Sequence, residues 1–294
     1  MQKGLNQNLD ADYVRPKSLE TAVSALSAGP RVILAGGTDV FPGLQDRPLL
    51  GPVLDISGIS ALRTIDFDGS YFRIGAATSW RDVINADLPP AFEGLKEAAG
   101  EVGSIQIQNR ATVVGNLCNA SPAADGVPPL LTLDAEVEIA STSGFRYLPL
   151  AKFILGNRKT ALKTGEMVSA LRIPSKSTSG HSSFLKLGAR SYLVISISMA
   201  ALRLDVDKAG MISTVALSIG ACSEVAIRME RVESALFGKP LANACERITQ
   251  DLFTELAPID DVRAPAQYRR EASVEVVRRL LAGQQSYFAC EAKA

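Results

Sequence analysis

Histidine is all but missing from this chain of 294 residues: His181 stands alone. The four cysteines, Cys118, Cys222, Cys245 and Cys290, lie far apart and form no C-x-x-C pair. Local spacing therefore offers neither an iron–sulfur nor a zinc site, a histidine-rich metal centre is excluded, and the thiols are expected to be reduced and mostly buried. His181 falls in the polar stretch SKSTSGHSS, a setting that suits a solvated turn, and G-x-S-x-G is missing too, which counts against a serine hydrolase. Net charge is likewise absent, with 31 acidic residues against 31 basic ones, so nothing marks a surface for nucleic acid or anionic membrane. No run of ~18 apolar residues occurs. The opening MQKGLNQNLDADYVRP has neither an apolar core nor a cleavage pattern. Neither a membrane span nor a signal peptide is expected, and the cytoplasm is the expected compartment. The remainder, 47% hydrophobic and 21% charged, is an ordinary globular composition, long enough for two cores or one large one.

Against this background two glycine-bearing turns stand out, LAGGTD (Leu34 to Asp39) and TVVGNLCNASPAAD (Thr112 to Asp125). In the first, Val32-Ile33-Leu34 reads as a buried strand and Gly36-Gly37 lets the chain turn where a Cβ would clash. Successive N–H groups then point into one concavity, with Thr38 and Asp39 at its rim. The second repeats the idea with Gly115 and Asn116, followed by Ser121, Pro122 and Asp125. Such amides can hold a diphosphate without lysine or arginine. A strand ending in Gly-Gly is equally compatible with a plain turn, and neither motif is the dinucleotide fingerprint or the P-loop.

Elsewhere Leu19, Ala22, Val23 and Leu26 form a short helical stripe, capped by Ser18 and ended by Gly29-Pro30. Val53 to Ile56 reads as a strand, and LRTI and YFRIG as a hairpin around Asp68-Gly69. Thr78 or Ser79 opens a helix through Trp80 and Val83, and a second runs from about Pro90 to Val102. Leu130 to Leu133, Ala135 to Ser141 and FRYLPL read as strands. Ser175 to Ser183 is the most linker-like stretch and takes the domain boundary. Beyond it, FLKLG, SYLVISISMAALRLDV and MISTVALSIGAC predict an antiparallel sheet with a turn at Lys208-Ala209-Gly210. Helices are expected around Met229 to Phe237, Leu241 to Phe253 and Tyr268 to Leu281. The last carries Val274, Val277, Leu280 and Leu281 on one face and Arg269, Arg270, Arg278 and Arg279 as a solvated or partner-facing stripe.

The order SLETAVSAL, LAGGTD, LDISGI, IGAATSW, GSIQIQNRATVVGNLCNASPAAD, LGNRKTAL, FLKLGAR, IGACS and YRREASVEVV closely resembles the FAD-binding medium subunits of the molybdenum hydroxylases, such as the flavin modules of xanthine dehydrogenase and carbon monoxide dehydrogenase. The resemblance covers about Tyr13 to Leu281. It implies an α+β chain: a two-lobed FAD-binding domain of the vanillyl-alcohol-oxidase (PCMH) type over 1–176, with lobes of about 1–58 and 59–176, and a smaller α+β domain over 177–294 with a three-stranded antiparallel sheet and helices. By resemblance FAD is held by Ile33, Leu34, Ala35, Gly36, Gly37, Thr38, Asp39 and Val40 on one lobe and by Thr112, Val113, Val114, Gly115 and Asn116 on the other. Further contacts are implied at Val102, Asp125, Val168 and Lys186. No acid or base acting on the organic substrate is implied, nor any bound metal. The implied partners are a large molybdenum-cofactor subunit, which oxidises the substrate, and a small subunit with 2Fe–2S centres. Electrons pass from these through FAD to NAD+ or another acceptor, and the lack of a cysteine-rich insertion argues against an added 4Fe–4S cluster. One departure stands out. The family usually reads T-x-G-G-N in the second loop, whereas Val114 here replaces a glycine. If that position needs a positive φ, the strain costs about 1–3 kcal/mol; if it does not, Val114 is harmless. A noncatalytic assembly subunit with weakened FAD binding is therefore the alternative reading.

Overall fold

The computed structural model describes residues 12–49 and 51–291. Three short strands, β1 (Tyr13–Val14), β2 (Val32–Leu34) and β3 (Val53–Asp55), make an all-parallel sheet with β3 in the centre. Between β1 and β2 runs helix α1 (Leu19–Ser27). The Thr21 amide donates to Ser18 Oγ at 3.2 Å, and Ala22, Val23 and Leu26 are buried, as the stripe predicts. After β2 the glycine turn leads into a single helical turn, α2 (Val40–Leu44).

The second lobe is built on a five-stranded antiparallel sheet. In its hairpin, β5 (Tyr71–Gly75) and the turn with Gly69 at φ +92° follow the sequence reading, whereas β4 is Ile65–Phe67 rather than LRTI, because Leu62 ends a 3-10 turn. Helices α3 (Trp80–Asn85), α4 (Glu93–Glu101), α5 (Ile105–Gln108), α6 (Val113–Asn119) and α7 (Val127–Thr132) come next. Ser79, not Thr78, opens α3, in a reciprocal capping box with Asp82. Strands β6 (Glu136–Ser141) and β7 (Gly144–Pro149) precede helix α8 (Leu150–Phe153) and the small hairpin β8 (Ile154–Gly156) and β9 (Lys159–Thr160). Strand β10 (Met167–Pro174) then inserts between β5 and β6, giving the order β4-β5-β10-β6-β7.

The strand expected at Leu130 to Leu133 is instead the end of α7. Pro128 and Pro129 sit in its first turn, where a missing N–H is harmless and φ is preset, and every residue of α7 is buried, so no periodicity distinguished helix from strand.

The C-terminal part is a meander of β11 (His181–Leu187), β12 (Ser198–Val206), β13 (Ile212–Gly220) and a two-residue β14 (Ile227–Arg228), so three long strands carry a short fourth. Helix α9 (Glu230–Leu236) and the long α10 (Ala266–Glu291) cover one face, while α4 and α7 cover the other. Within SYLVISISMAALRLDV only Ser198 onward is strand. Residues 188–197 leave the sheet, with Leu193 at φ +50° and Tyr192, Leu193 and Ile195 exposed. Leu241 to Phe253 forms three separate 3-10 turns rather than a helix, because Ile248 is extended and breaks the run; Leu241, Ala244, Ile248 and Phe253 are buried all the same.

Two further expectations change. Arg269 is buried, not solvated: its guanidinium donates to the carbonyls of Ile197 (2.7 Å) and Ala221 (3.2 Å) and to Asp261 (2.6 Å). Arg270 is half-buried and reaches the carbonyl of Leu256, whereas Arg278, which donates to the Ile248 carbonyl, and Arg279, paired with Glu275, are exposed as expected. His181 is half-buried at the start of β11, stacked on Tyr287 and hydrogen-bonded through Nδ1 to Gln284 Oε1 at 3.1 Å; burial pushes its ring below the usual histidine range. Of the four free thiols only Cys222 is fully buried, and Cys290 is exposed.

Candidate cofactor-binding site

Between the two lobes lies a cavity of about 400 Å³. Its first wall is the end of β2 and the turn after it: Ile33, Ala35, Gly36, Gly37, Thr38, Asp39 and Val40 all line it. The turn owes its shape to both glycines. Gly37 has φ +76°, and a Cβ on Gly36 would lie 2.0 Å from the carbonyl oxygen of Arg110, so this is where the backbones of the two lobes meet without room for a side chain.

The facing wall is the start of α6, with Thr112, Val114, Gly115 and Asn116. Thr112 caps that helix, its Oγ1 accepting from the Gly115 amide at 3.0 Å. The second motif is thus a capped helix start rather than a glycine turn. Val114 is helical, outside the left-handed region, and almost wholly buried, so the strain that a β-branched residue would feel at positive φ does not arise.

Val102 and Val168 complete the expected residues that line the cavity. Leu34 and Val113 do not line it: Leu34 is half-buried at the end of β2, and Val113 lies fully inside the core. Asp125 and Lys186 stand beside the cavity in a buried pair. Lys186 Nζ lies 2.8 Å from Asp125 Oδ2 and also reaches the carbonyl of Glu101, the neighbour of Val102, while Ser196 Oγ donates to Asp125 Oδ1 at 2.9 Å. Burial raises the Asp125 carboxyl above the usual range, against the opposing pull of Lys186 and Ser196.

Ile56, Trp80, Ile107, Leu162 and Met167 form much of the apolar lining, a role the sequence does not signal, because a buried apolar residue carries no local mark of what it faces. Cys118 also lines the cavity, and burial pushes its thiol up to about 12, so it stays protonated. Among the described residues no cluster of three or more metal-ligating side chains occurs, and no helix is long and apolar enough to cross a membrane.

The residues fit a dinucleotide flavin on three counts. The volume lies in the range of about 300–1,000 Å³ found for small-ligand sites, with mostly apolar walls. The glycine turn leaves backbone amides where a Cβ is sterically barred. Finally, Asn116 Oδ1 and Trp80 Nε1 are buried without a hydrogen-bond partner, a state native proteins seldom leave unanswered.

Comparison with known proteins agrees. Residues 7–176 match the family model described as the FAD binding domain in molybdopterin dehydrogenase, and residues 183–283 match that of the CO dehydrogenase flavoprotein C-terminal domain. The chain is 30% identical to the nicotinate dehydrogenase FAD-subunit of Eubacterium barkeri over 92% of its own length and 95% of the relative's. It is 32% identical to a putative xanthine dehydrogenase FAD-binding subunit of Escherichia coli, covering 88% and 90% of the two chains. Among solved structures, a chain of reconstituted CO dehydrogenase from Oligotropha carboxidovorans superposes with a TM-score of 0.83 at 27% identity, covering 93% of this chain and 96% of that one. With the glycine turn, the capped helix start and the cavity between them all lying inside the matched region, the chain belongs to the family of FAD-binding subunits of the molybdenum hydroxylases.

Proposed function

We propose that this chain is the electron-transfer subunit of a three-part enzyme, carrying FAD between a small 2Fe–2S subunit and a soluble acceptor such as NAD+, while a large molybdenum subunit oxidises the substrate. The observation that carries the reading is the cavity at the meeting of Gly36 with the Arg110 backbone, faced by the capped start of α6. Bound FAD supplies the redox chemistry, accepting single electrons and passing on pairs. The protein's part is to bind and orient it. In this reading the amides around Gly36 and Gly37 hold the diphosphate, faced by the capped start of α6, while Trp80, Ile107, Met167 and Val168 keep water from the apolar part of the cofactor. Lys186 acts beside the site as half of an ion pair with Asp125 rather than as a free cation.

The alternative, an assembly subunit robbed of FAD by Val114, draws no support from the backbone, which is helical at that residue. The test is the visible spectrum of the purified chain, followed by release and identification of the pigment. One FAD per chain is expected, together with co-purification of a large molybdenum-containing and a small iron–sulfur chain from the native host. A protein that remains colourless after incubation with FAD would overturn the reading.

A further inference from the structure

Among the described residues that line the cavity, Asp39 is the one charged side chain, and its charge has the wrong sign for an anionic ligand. It does not stand bare. Arg158, in the turn of the β8–β9 hairpin and outside the lining, donates through Nη1 to Asp39 Oδ2 at 2.7 Å and through Nη2 to Oδ1 at 3.3 Å. The same guanidinium donates to the side chain of Asn119, which lines the cavity on the α6 side. The Arg158 main chain is fixed as well: φ is +58°, and its amide donates to the Ala120 carbonyl at 2.9 Å. One residue thus reaches the first lobe at Asp39 and the second at Asn119 and Ala120.

We propose that Arg158 is the counter-charge of this rim: it neutralises Asp39 so that the glycine turn can accept a diphosphate, without itself belonging to the cradle. The proposal rests on reading the cavity as the FAD site. A structural brace alone is a poor account of the pair, since both side chains are more than half exposed and surface ion pairs of that kind add little to stability. The electrostatic effect on a nearby anion is another matter. Without Arg158 an uncompensated carboxylate would stand at the mouth that two phosphate groups must enter, and the guanidinium's fixed backbone and double hydrogen bond hold the compensation in place.

The experiment uses flavin-free full-length protein titrated with FAD, which carries the diphosphate, and with riboflavin, which lacks it, following flavin fluorescence at low and high salt. Wild type, Arg158→Gln, Arg158→Lys, Asp39→Asn and the double variant Asp39→Asn/Arg158→Gln are compared after circular dichroism confirms folding. At low salt Arg158→Gln is expected to weaken FAD on the order of tenfold, with the difference shrinking as salt rises, and to leave riboflavin within about twofold. Arg158→Lys, which keeps the charge, should stay near wild type. The double variant should recover FAD affinity, because the charge needing compensation is gone. Equal loss for FAD and riboflavin, or a double variant as weak as Arg158→Gln, would overturn the counter-charge and leave a brace. Unchanged FAD affinity in Arg158→Gln would overturn it outright. Failure of the wild type to bind FAD at all is a different result, since it refutes the cofactor reading on which the proposal stands.

Discussion

Gly36 shows how one missing Cβ can decide a site. Replacing it with alanine puts a methyl 2.0 Å from a backbone oxygen, and that atom cannot swing aside as a side chain would. Gly36→Ala is expected to cost about 1–3 kcal/mol in thermal or denaturant unfolding and to abolish stoichiometric FAD binding. Val114 gives the opposite expectation. Restoring the family's glycine should not tighten FAD by more than about twofold, and should lower stability by roughly 1 kcal/mol or more, because a buried side chain in a helix is exchanged for a flexible link; titration and urea denaturation of Val114→Gly check both halves. The difference between the two residues also explains what could be read from sequence. Gly36 and Gly37 advertise a backbone requirement through their own identity. Arg158 carries no such mark, since its meaning comes from a partner 119 residues away. Trp80 was legible as part of a helix start and illegible as part of a cavity wall.

At the scale of elements, the local rules that worked were those with a chemical signature: Ser18 and Ser79 at helix starts, Gly69 in a hairpin, the apolar stripe of α1. They failed where an element is buried on all sides, as in α7, or where apolar spacing survives without a regular helix, as from Leu241 to Phe253. Helix α6 is held at its start by one hydroxyl, so Thr112→Ala should cost about 1 kcal/mol and loosen the wall that contains Asn116, measurable as a lower melting temperature and weaker FAD binding. At the other end of the chain Asp261 anchors α10. Burial raises its carboxyl, but the Arg263 amide, the guanidiniums of Arg269 and Arg263 and the Ala264 amide together outweigh this and hold it down at about 2. A folded value below the unfolded one means the contribution is whole above about pH 4 and is lost as pH falls towards 2. Asp261→Asn should therefore destabilise the protein at pH 7, with the gap to wild type closing as acid is added, in melting curves recorded across that range.

For the molecule as a whole, the joint between its two parts is held by hydrogen bonds and by shared apolar packing. Phe184 N–H donates to Glu97 at 2.5 Å, the Gly94 amide to Ser182 Oγ at 2.8 Å, and Arg203 to the Thr132 carbonyl at 2.8 Å, while Ala98, Phe184, Met199 and Ala201 form a small core of their own. The linker-like polarity of Ser175 to Ser183 gave no sign of this, since it marks where the chain crosses over and not how tightly the flanking surfaces fit. Amide hydrogen exchange should accordingly show β10 and β11 opening with the same free energy, as one cooperative unit; slower exchange in one of them by a factor of about a hundred would separate the parts. A last consequence follows from the composition of the cavity wall. Trp80 is the sole tryptophan in the chain and lines the cavity proposed to hold the flavin. Its ultraviolet emission, which overlaps flavin absorption, should be bright in empty molecules and dim in loaded ones, so that each polypeptide carries a built-in optical gauge of its own occupancy, readable without a label.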